Sequence, residues 1–405
     1  MTATATTLRA TLLALLACAS SLAPVAKAQQ DVFTIRAKQA WIQPERTADG
    51  VTIEITKGKI AALRDGTNVV DGREANARSF ATGVVTAGFV DAHRTPLAEN
   101  GIGEDAESFT PELAAIFAYD PWSVRWTELQ QRGVTSAVLA GGNENVGAGQ
   151  GAFVKSGRPA TADEASSYLK FSLAREAMRR DRRPTSLLGA LEILRGGYAS
   201  LEGRPGTALT ATQRTLVSTI GGARRVAIAA RERREILAAL EFLATWQLQG
   251  CIVGGDEAAT CLEELARDRT PVLLEPLRTD ASRKALDLPL QLAARRIPFA
   301  FTNEGTDKHA GSALQWSMAL AVREGLAPAA ALAAVTTTPA TIAGRSDQVG
   351  SLQIGRDADL IVWSGQPWDL RSRILLVVQD GAIVFEAATP SSGASSGSET
   401  EKQAR

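Results

Sequence analysis

The chain has 405 residues, 45% of them hydrophobic and 22% charged, and its 44 basic residues balance 44 acidic ones. This is the make-up of an ordinary globular protein, long enough for one domain of about 250 residues and a smaller one. The charge balance gives no electrostatic reason for a nucleic-acid partner, and only two histidines, His93 and His309, are available for metal chemistry.

Residues 1–28 read as a secretory signal: Arg9 precedes the apolar run Leu12 to Ala19, and Ala26-Lys27-Ala28 offers a small-x-small cleavage site. The run is shorter than the ~20 residues that span a bilayer. A secreted, periplasmic location is expected; the alternative is a lipoprotein anchored to a membrane through Cys18 in Leu15-Leu16-Ala17-Cys18. Cleavage after Ala28 removes Arg9 and Lys27 and no acid, leaving a net charge of −2. Cys251 and Cys261 would remain in an oxidising compartment, either disulfide-bonded or, preferably, as two buried small hydrophobes.

From Val32 to Arg64 short alternating runs (Phe33-Thr34-Ile35, Val51 to Ile55) are broken by Asp49-Gly50 and Lys57-Gly58-Lys59, which are hairpin signals. Strand-like runs close the chain at Leu360 to Trp363, Ile374 to Val378 and Ile383 to Phe385, the last after an Asp380-Gly381 turn. Between these ends the pattern changes. Val134 to Leu139, Val226 to Ile228, Ile252-Val253, Val272 to Leu274 and Phe299 to Phe301 read as buried strands, with helical stretches such as Arg233 to Leu248 and Glu257 to Arg267 interspersed. Such βα repetition over about 260 residues predicts a (β/α)8 TIM-like barrel. No Gly-x-Gly-x-x-Gly follows the first strand to support an open doubly wound sheet. The basic stretch Lys170 to Arg183 has helical spacing with Phe171, Leu173 and Met178 and predicts a solvated helix face. The tail from Thr389 is too polar to fold.

Three stretches resemble the amidohydrolase superfamily of metal-dependent hydrolases, particularly its secreted, imidazolonepropionase-like group. They are Thr86-Ala87-Gly88-Phe89-Val90-Asp91-Ala92-His93; Gly133-Val134-Thr135-Ser136 with Gly147 to Lys155; and Thr338-Pro339-Ala340 followed by Val349 to Val362. The resemblance implies a barrel over 86–345 and a small composite β-sandwich domain from 31–85 and 346–387. It also implies a zinc-assisted hydrolysis of non-peptide carbon–nitrogen bonds, in which the cation lowers the pKa of bound water.

That chemistry needs several nitrogen or oxygen ligands about 2.0–2.2 Å from zinc at the strand ends. Carried over position by position, the family's ligand set is broken. His93 stands, but the second His of His-x-His is Thr95. At the fifth strand the family's imidazole falls on Arg231, which repels a cation. At the sixth it falls on Gly254, and at the eighth the general-base Asp falls on Asn303, whose amide cannot take a proton from water. Neither Lys155 nor Lys170 aligns with the family's bridging lysine well enough to assign it.

The expected binding residues are therefore His93, Thr95, Arg231, Gly254, Glu275, Asn303 and Glu304, with no metal and no cofactor in place of the family's zinc. Glu275 and Glu304 could pair as carboxylates at the mouth. The leading expectation is a catalytically impaired pseudoenzyme of this family that binds a small-molecule ligand or a partner. One alternative is a hydrolase with an atypical site around His93, Asp307 or His309. The other is a structural subunit in a homo- or hetero-oligomer with a related amidohydrolase.

Overall fold

The structure is a computed structural model describing residues 32–95, 104, 106–202, 208–303 and 312–388; the leader and lipoprotein readings of residues 1–28 and the tail from Thr389 lie outside them. β1 (Val32–Gln43) buries alternate residues, Phe33, Ile35 and Ala37 among them, as a period of two requires. It pairs antiparallel with β2 (Arg46–Thr56). The turn between them is Pro44-Glu45, not Asp49-Gly50. Gly50 lies inside β2 at φ +62; its carbonyl accepts the Thr67 amide at 2.6 Å, and an added Cβ would stand 2.2 Å from the Thr67 carbonyl oxygen. That dipeptide marks a close backbone approach instead of a chain reversal. β3 (Lys59–Arg64) follows the expected turn, with Lys57 and Gly58 both at positive φ, as tight hairpins require. β4 (Gly72–Glu74) pairs with β5 (Ala77–Ala87), which runs parallel to β1.

A second sheet holds, in spatial order, β6 (Phe89–Arg94), β7 (Val134–Leu139), β8 (Gly147–Lys155), β9 (Ser166–Ser172), β10 (Val226–Ala230), β11 (Gly250–Gly254), β12 (Val272–Leu274) and β13 (Phe299–Phe301). α1 (Val124–Gln131) leads into β7. α2 (Leu187–Ala199) and α3 (Ala211–Val217) join β9 to β10, and α4 (Arg233–Thr245), α5 (Leu262–Arg267) and α6 (Arg283–Ala294) join the strands that follow. α7 (Ala313–Arg323), α8 (Pro328–Ala333) and α9 (Thr337–Ile342) come after β13. This is a mixed α/β fold with a nearly closed eight-stranded barrel sheet. Ala227, Ala229, Cys251, Val253, Leu273 and Ala300 fill its interior, while the alternate residues Val226, Ile228, Ile252, Val272 and Phe299 pack with the helices, which is why these strands read as unbroken apolar runs. At the seam the Ala334 carbonyl accepts the Phe301 amide and the Val335 carbonyl the Val90 amide, each at 3.0 Å.

Two features depart from a regular (β/α)8 pattern. β8 is antiparallel to both β7 and β9, so the other seven strands run parallel. Its glycines permit close crossings: a Cβ on Gly147 would stand 2.7 Å from the Phe109 ring, and one on Gly149 2.5 Å from the Leu113 carbonyl oxygen. β9 also corrects the predicted basic helix face, because Lys170 and Phe171 are buried strand residues. Burial in the sheet outweighs a helical spacing of charges.

The chain returns through β14 (Leu360–Trp363), β15 (Ile374–Gln379) and β16 (Ala382–Glu386). β14 pairs with β5, so strands from both ends form one hydrogen-bonded sheet in the order β16-β15-β14-β5-β1-β2-β3, with β4 on β5. Ile35, Val51, Ile53, Leu360, Val362 and Leu376 share its core. Lys155, at the end of β8, joins the two sheets. Its Nζ lies 2.7 Å from Asp359, 2.8 Å from Asp357 and 3.1 Å from Asp380. Among the described residues no helix is long and apolar enough to cross a membrane, and Cys251 and Cys261 are buried and unbonded.

Candidate functional site

Gly88 admits β6 to the barrel, since a Cβ there would stand 2.3 Å from the Thr135 hydroxyl oxygen. The strand then carries Asp91, His93 and Arg94, all buried. Asp91 Oδ1 accepts the backbone N–H of Asn303 at 3.2 Å and of His93 at 3.4 Å, and Oδ2 lies 3.4 Å from Arg94 Nη1. Burial pushes the Asp91 carboxyl above its usual range, opposed by the Arg94 charge and the hydrogen bonds from Asn303 and His93.

His93 Nδ1 lies 2.7 Å from the Tyr168 hydroxyl, which donates its single proton to the Ala92 carbonyl at 2.9 Å. The hydroxyl must therefore accept from Nδ1–H. In the neutral imidazole this network assigns the lone pair to Nε2. Lys170 on β9 reaches the loop after β7, where Nζ donates to Asn143 Oδ1 at 2.6 Å.

At the rim, Glu235 caps α4 and fixes the chain before it, accepting the Arg231 and Glu232 amides at 2.8 and 3.2 Å. Arg231 Nη2 meets Glu275 Oε1 at 2.5 Å, Nε meets Glu176 at 3.2 Å and Nη1 meets Asp256 at 3.4 Å. Burial works against its charge, but the bond and charge of Glu275, with Asp256 and Glu176, hold the guanidinium above its ordinary pKa. Gly254 has φ +92, and a Cβ there would stand 3.2 Å from Arg231 Cγ. A cavity of about 450 Å³ adjoins this cluster, lined by Gly254, Asp256, Glu275, Leu277 and Arg278 among others.

The structure thus brings Arg231, Gly254 and Glu275 together, and joins His93 to Asn303 through Asp91. Thr95 is exposed just beyond β6. Glu304, Asp307 and His309, and with them the expected Glu275–Glu304 pair, lie outside the described residues; Glu275 binds Arg231. Sequence reasoning missed Arg94, which fills the middle position of the His-x-Thr segment, and Tyr168, which has no local motif. It also left Lys155 and Lys170 undecided. Lys155 ends an antiparallel strand beside Asp359, away from the mouth, whereas Lys170 reaches the mouth loop.

A structural or catalytic zinc needs three or more converging donors. Among the described residues no group of three His, Cys, Asp or Glu side chains gathers that could hold a metal. Two guanidinium groups lie at the strand ends: Arg94 is buried beside Asp91, and the charge of Arg231 is engaged by three carboxylates. The donors gathered among the described residues do not by themselves make up a zinc centre.

The family model described as Amidohydrolase family matches residues 300–392, from the end of β13 through β16. No curated protein matches the chain. Among solved structures, an amidohydrolase from Thermotoga maritima MSB8 is similar at 23% identity and a TM-score of 0.76, over 88% of this chain and 100% of that one. A Xaa-Pro dipeptidase with methionine bound in its active site is similar at 14% identity and a TM-score of 0.55, over 88% and 100%. So is a β-aspartyl dipeptidase from Fervidobacterium islandicum AW-1, in complex with β-Asp-Leu, at 16% identity and 0.55, over 88% and 96%. These likenesses describe a shared fold.

Proposed function

We propose that the chain is an amidohydrolase-superfamily protein that binds a small ligand at the barrel mouth without performing the family's metal-assisted hydrolysis. The observation that carries this reading is Arg231. At a strand end where the resemblance calls for an imidazole, a permanent cation is held by Glu275, Asp256 and Glu176, and it packs against the backbone of Gly254, which supplies no ligand side chain. Replacing a neutral donor by a fixed positive charge opposes metal binding by Coulomb repulsion in a site of reduced dielectric.

The test is metal per chain in purified mature protein, together with turnover of a panel of amides, cyclic imides, acyl amino acids and dipeptides. Sub-stoichiometric metal and no turnover are expected. One zinc per chain, or turnover abolished by His93→Ala, would refute the reading.

The second reading is an active hydrolase of non-peptide carbon–nitrogen bonds. It is favoured by the retained His93, whose Nδ1 is held by the Tyr168 hydroxyl, and by the hydrolases among the structural neighbours. The same panel decides it. For location, a periplasmic or secreted protein is the reading of residues 1–28; a mature chain starting at Gln29 supports it, and one starting at an acylated Cys18 supports the lipoprotein alternative.

A further inference from the structure

Opposite the mouth, at the N-terminal ends of β10 to β13, lies a second cavity of about 650 Å³. Leu240, Leu243, Leu248, Pro271, Pro298 and Ile342 make its apolar wall, and Thr270, Thr338 and Gln249 supply polar atoms. Its volume is within the range of small-molecule sites. Two consecutive arginines enter β10 and are used differently. Arg224 is tied into the sheet, donating to Gln150 Oε1 at 2.5 Å and to Ser166 Oγ. Arg225 lines the cavity half-buried, and among the described residues no hydrogen bond or ion pair engages its guanidinium. Its charge reaches the buried Cys251 thiol, where it partly offsets burial.

A half-buried guanidinium without a carboxylate partner costs desolvation that the fold does not return. The lining holds two cations, Arg225 and Arg269, against one acid, Asp268, an excess of a single positive charge. We propose that this cavity binds a small organic monoanion, a carboxylate on an apolar body of benzoate or hexanoate size, with Arg225 as its anchor. The carboxylate meets the guanidinium, whose paired N–H groups match its two oxygens, and the hydrocarbon lies against the leucine and proline wall. A dianion is disfavoured by Asp268. The site is independent of the mouth, and it stands whether or not the mouth catalyses.

Isothermal titration of the mature protein with benzoate and hexanoate, against benzamide and hexanamide, tests this. The acids are expected to saturate in the millimolar range or below and the amides to bind at least tenfold more weakly. Arg225→Gln should weaken the acids at least tenfold, with Arg225→Lys between, while His93→Ala at the mouth leaves them unchanged. Should Arg225→Gln fail to fold, amide shift mapping on the wild type replaces it: perturbation at Gly250 and Thr270, and none at Arg231, is the expected result. No saturation by either acid, equal binding of acids and amides, full binding by a folded Arg225→Gln, or perturbation centred on the mouth would each overturn the proposal.

Discussion

Lys155→Met keeps the apolar stem and removes one charge from the joint between the two sheets. In the wild type the Lys155 side chain is 16% exposed and Asp359 is 2% exposed. Asp357 would keep Lys59 at 2.5 Å, and Asp380 would keep Arg158 at 3.5 Å. Asp359 would retain the Asp380 amide at 2.8 Å and the Ser136 hydroxyl at 3.4 Å, but no cation among its described contacts. The cost is therefore set by one buried carboxylate stripped of its partner, about 3–5 kcal/mol. Burial already pushes the Asp359 carboxyl up, and Lys155 is the first force opposing that; without the ammonium its folded pKa rises further. A carboxyl whose folded pKa exceeds its unfolded value contributes stability below the unfolded value, which is lost as pH rises through the folded one. The gap between wild type and variant should thus be widest near neutrality and narrow toward pH 4. Urea denaturation followed by circular dichroism at both pH values measures it through the midpoint at constant slope. A gap below about 1 kcal/mol at pH 7, or one independent of pH, would refute the reasoning. Lys155→Met/Asp359→Asn should recover part of the loss, since the uncharged amide no longer needs the ammonium.

Cys251 gives an alkaline counterpart: burial pushes its thiol up to about 12, with Arg225 and Lys170 opposing. Native protein at pH 9 should resist iodoacetamide at Cys251 while urea-unfolded protein reacts, and stability should fall as pH rises above the ordinary thiol value of about 8.5; rapid native alkylation at that residue, read by peptide mass spectrometry, would contradict this. Gly254→Ala should cost about 1–3 kcal/mol, because φ +92 strains any side chain and Arg231 Cγ stands 3.2 Å from the new methyl group; an unchanged denaturation midpoint is the refuting result. Tyr168→Phe removes the hydroxyl shared by His93 Nδ1 and the Ala92 carbonyl. It should cost about 1–3 kcal/mol and change the His93 ring-nitrogen chemical shifts, and an unshifted His93 spectrum would argue against the assigned tautomer.

Period-two alternation in β1 and the uninterrupted apolar runs of β10, β12 and β13 were legible because each strand's burial is written into consecutive residues. The turns at Lys57-Gly58 and Asp380-Gly381 were legible for a similar reason: their positive φ values select their residues locally. Asp49-Gly50 misled because the same backbone freedom also serves a close crossing with Thr67. At the mouth, the sequence named Arg231, Gly254, Glu275 and Asn303 as strand-end residues, but their partners come from elements distant in the chain.

By itself, then, the sequence determined many of the strand segments, that both ends of the chain are β-rich, and that imidazole is scarce. Only the tertiary structure decided that β8 runs antiparallel and that Lys170 is buried in a strand. It likewise decided that Tyr168 sets the His93 tautomer and that Arg94 lies buried beside Asp91. Local patterning records how a residue meets its immediate neighbours; strand direction, burial of a charge and the partner of a hydrogen bond depend on residues far along the chain.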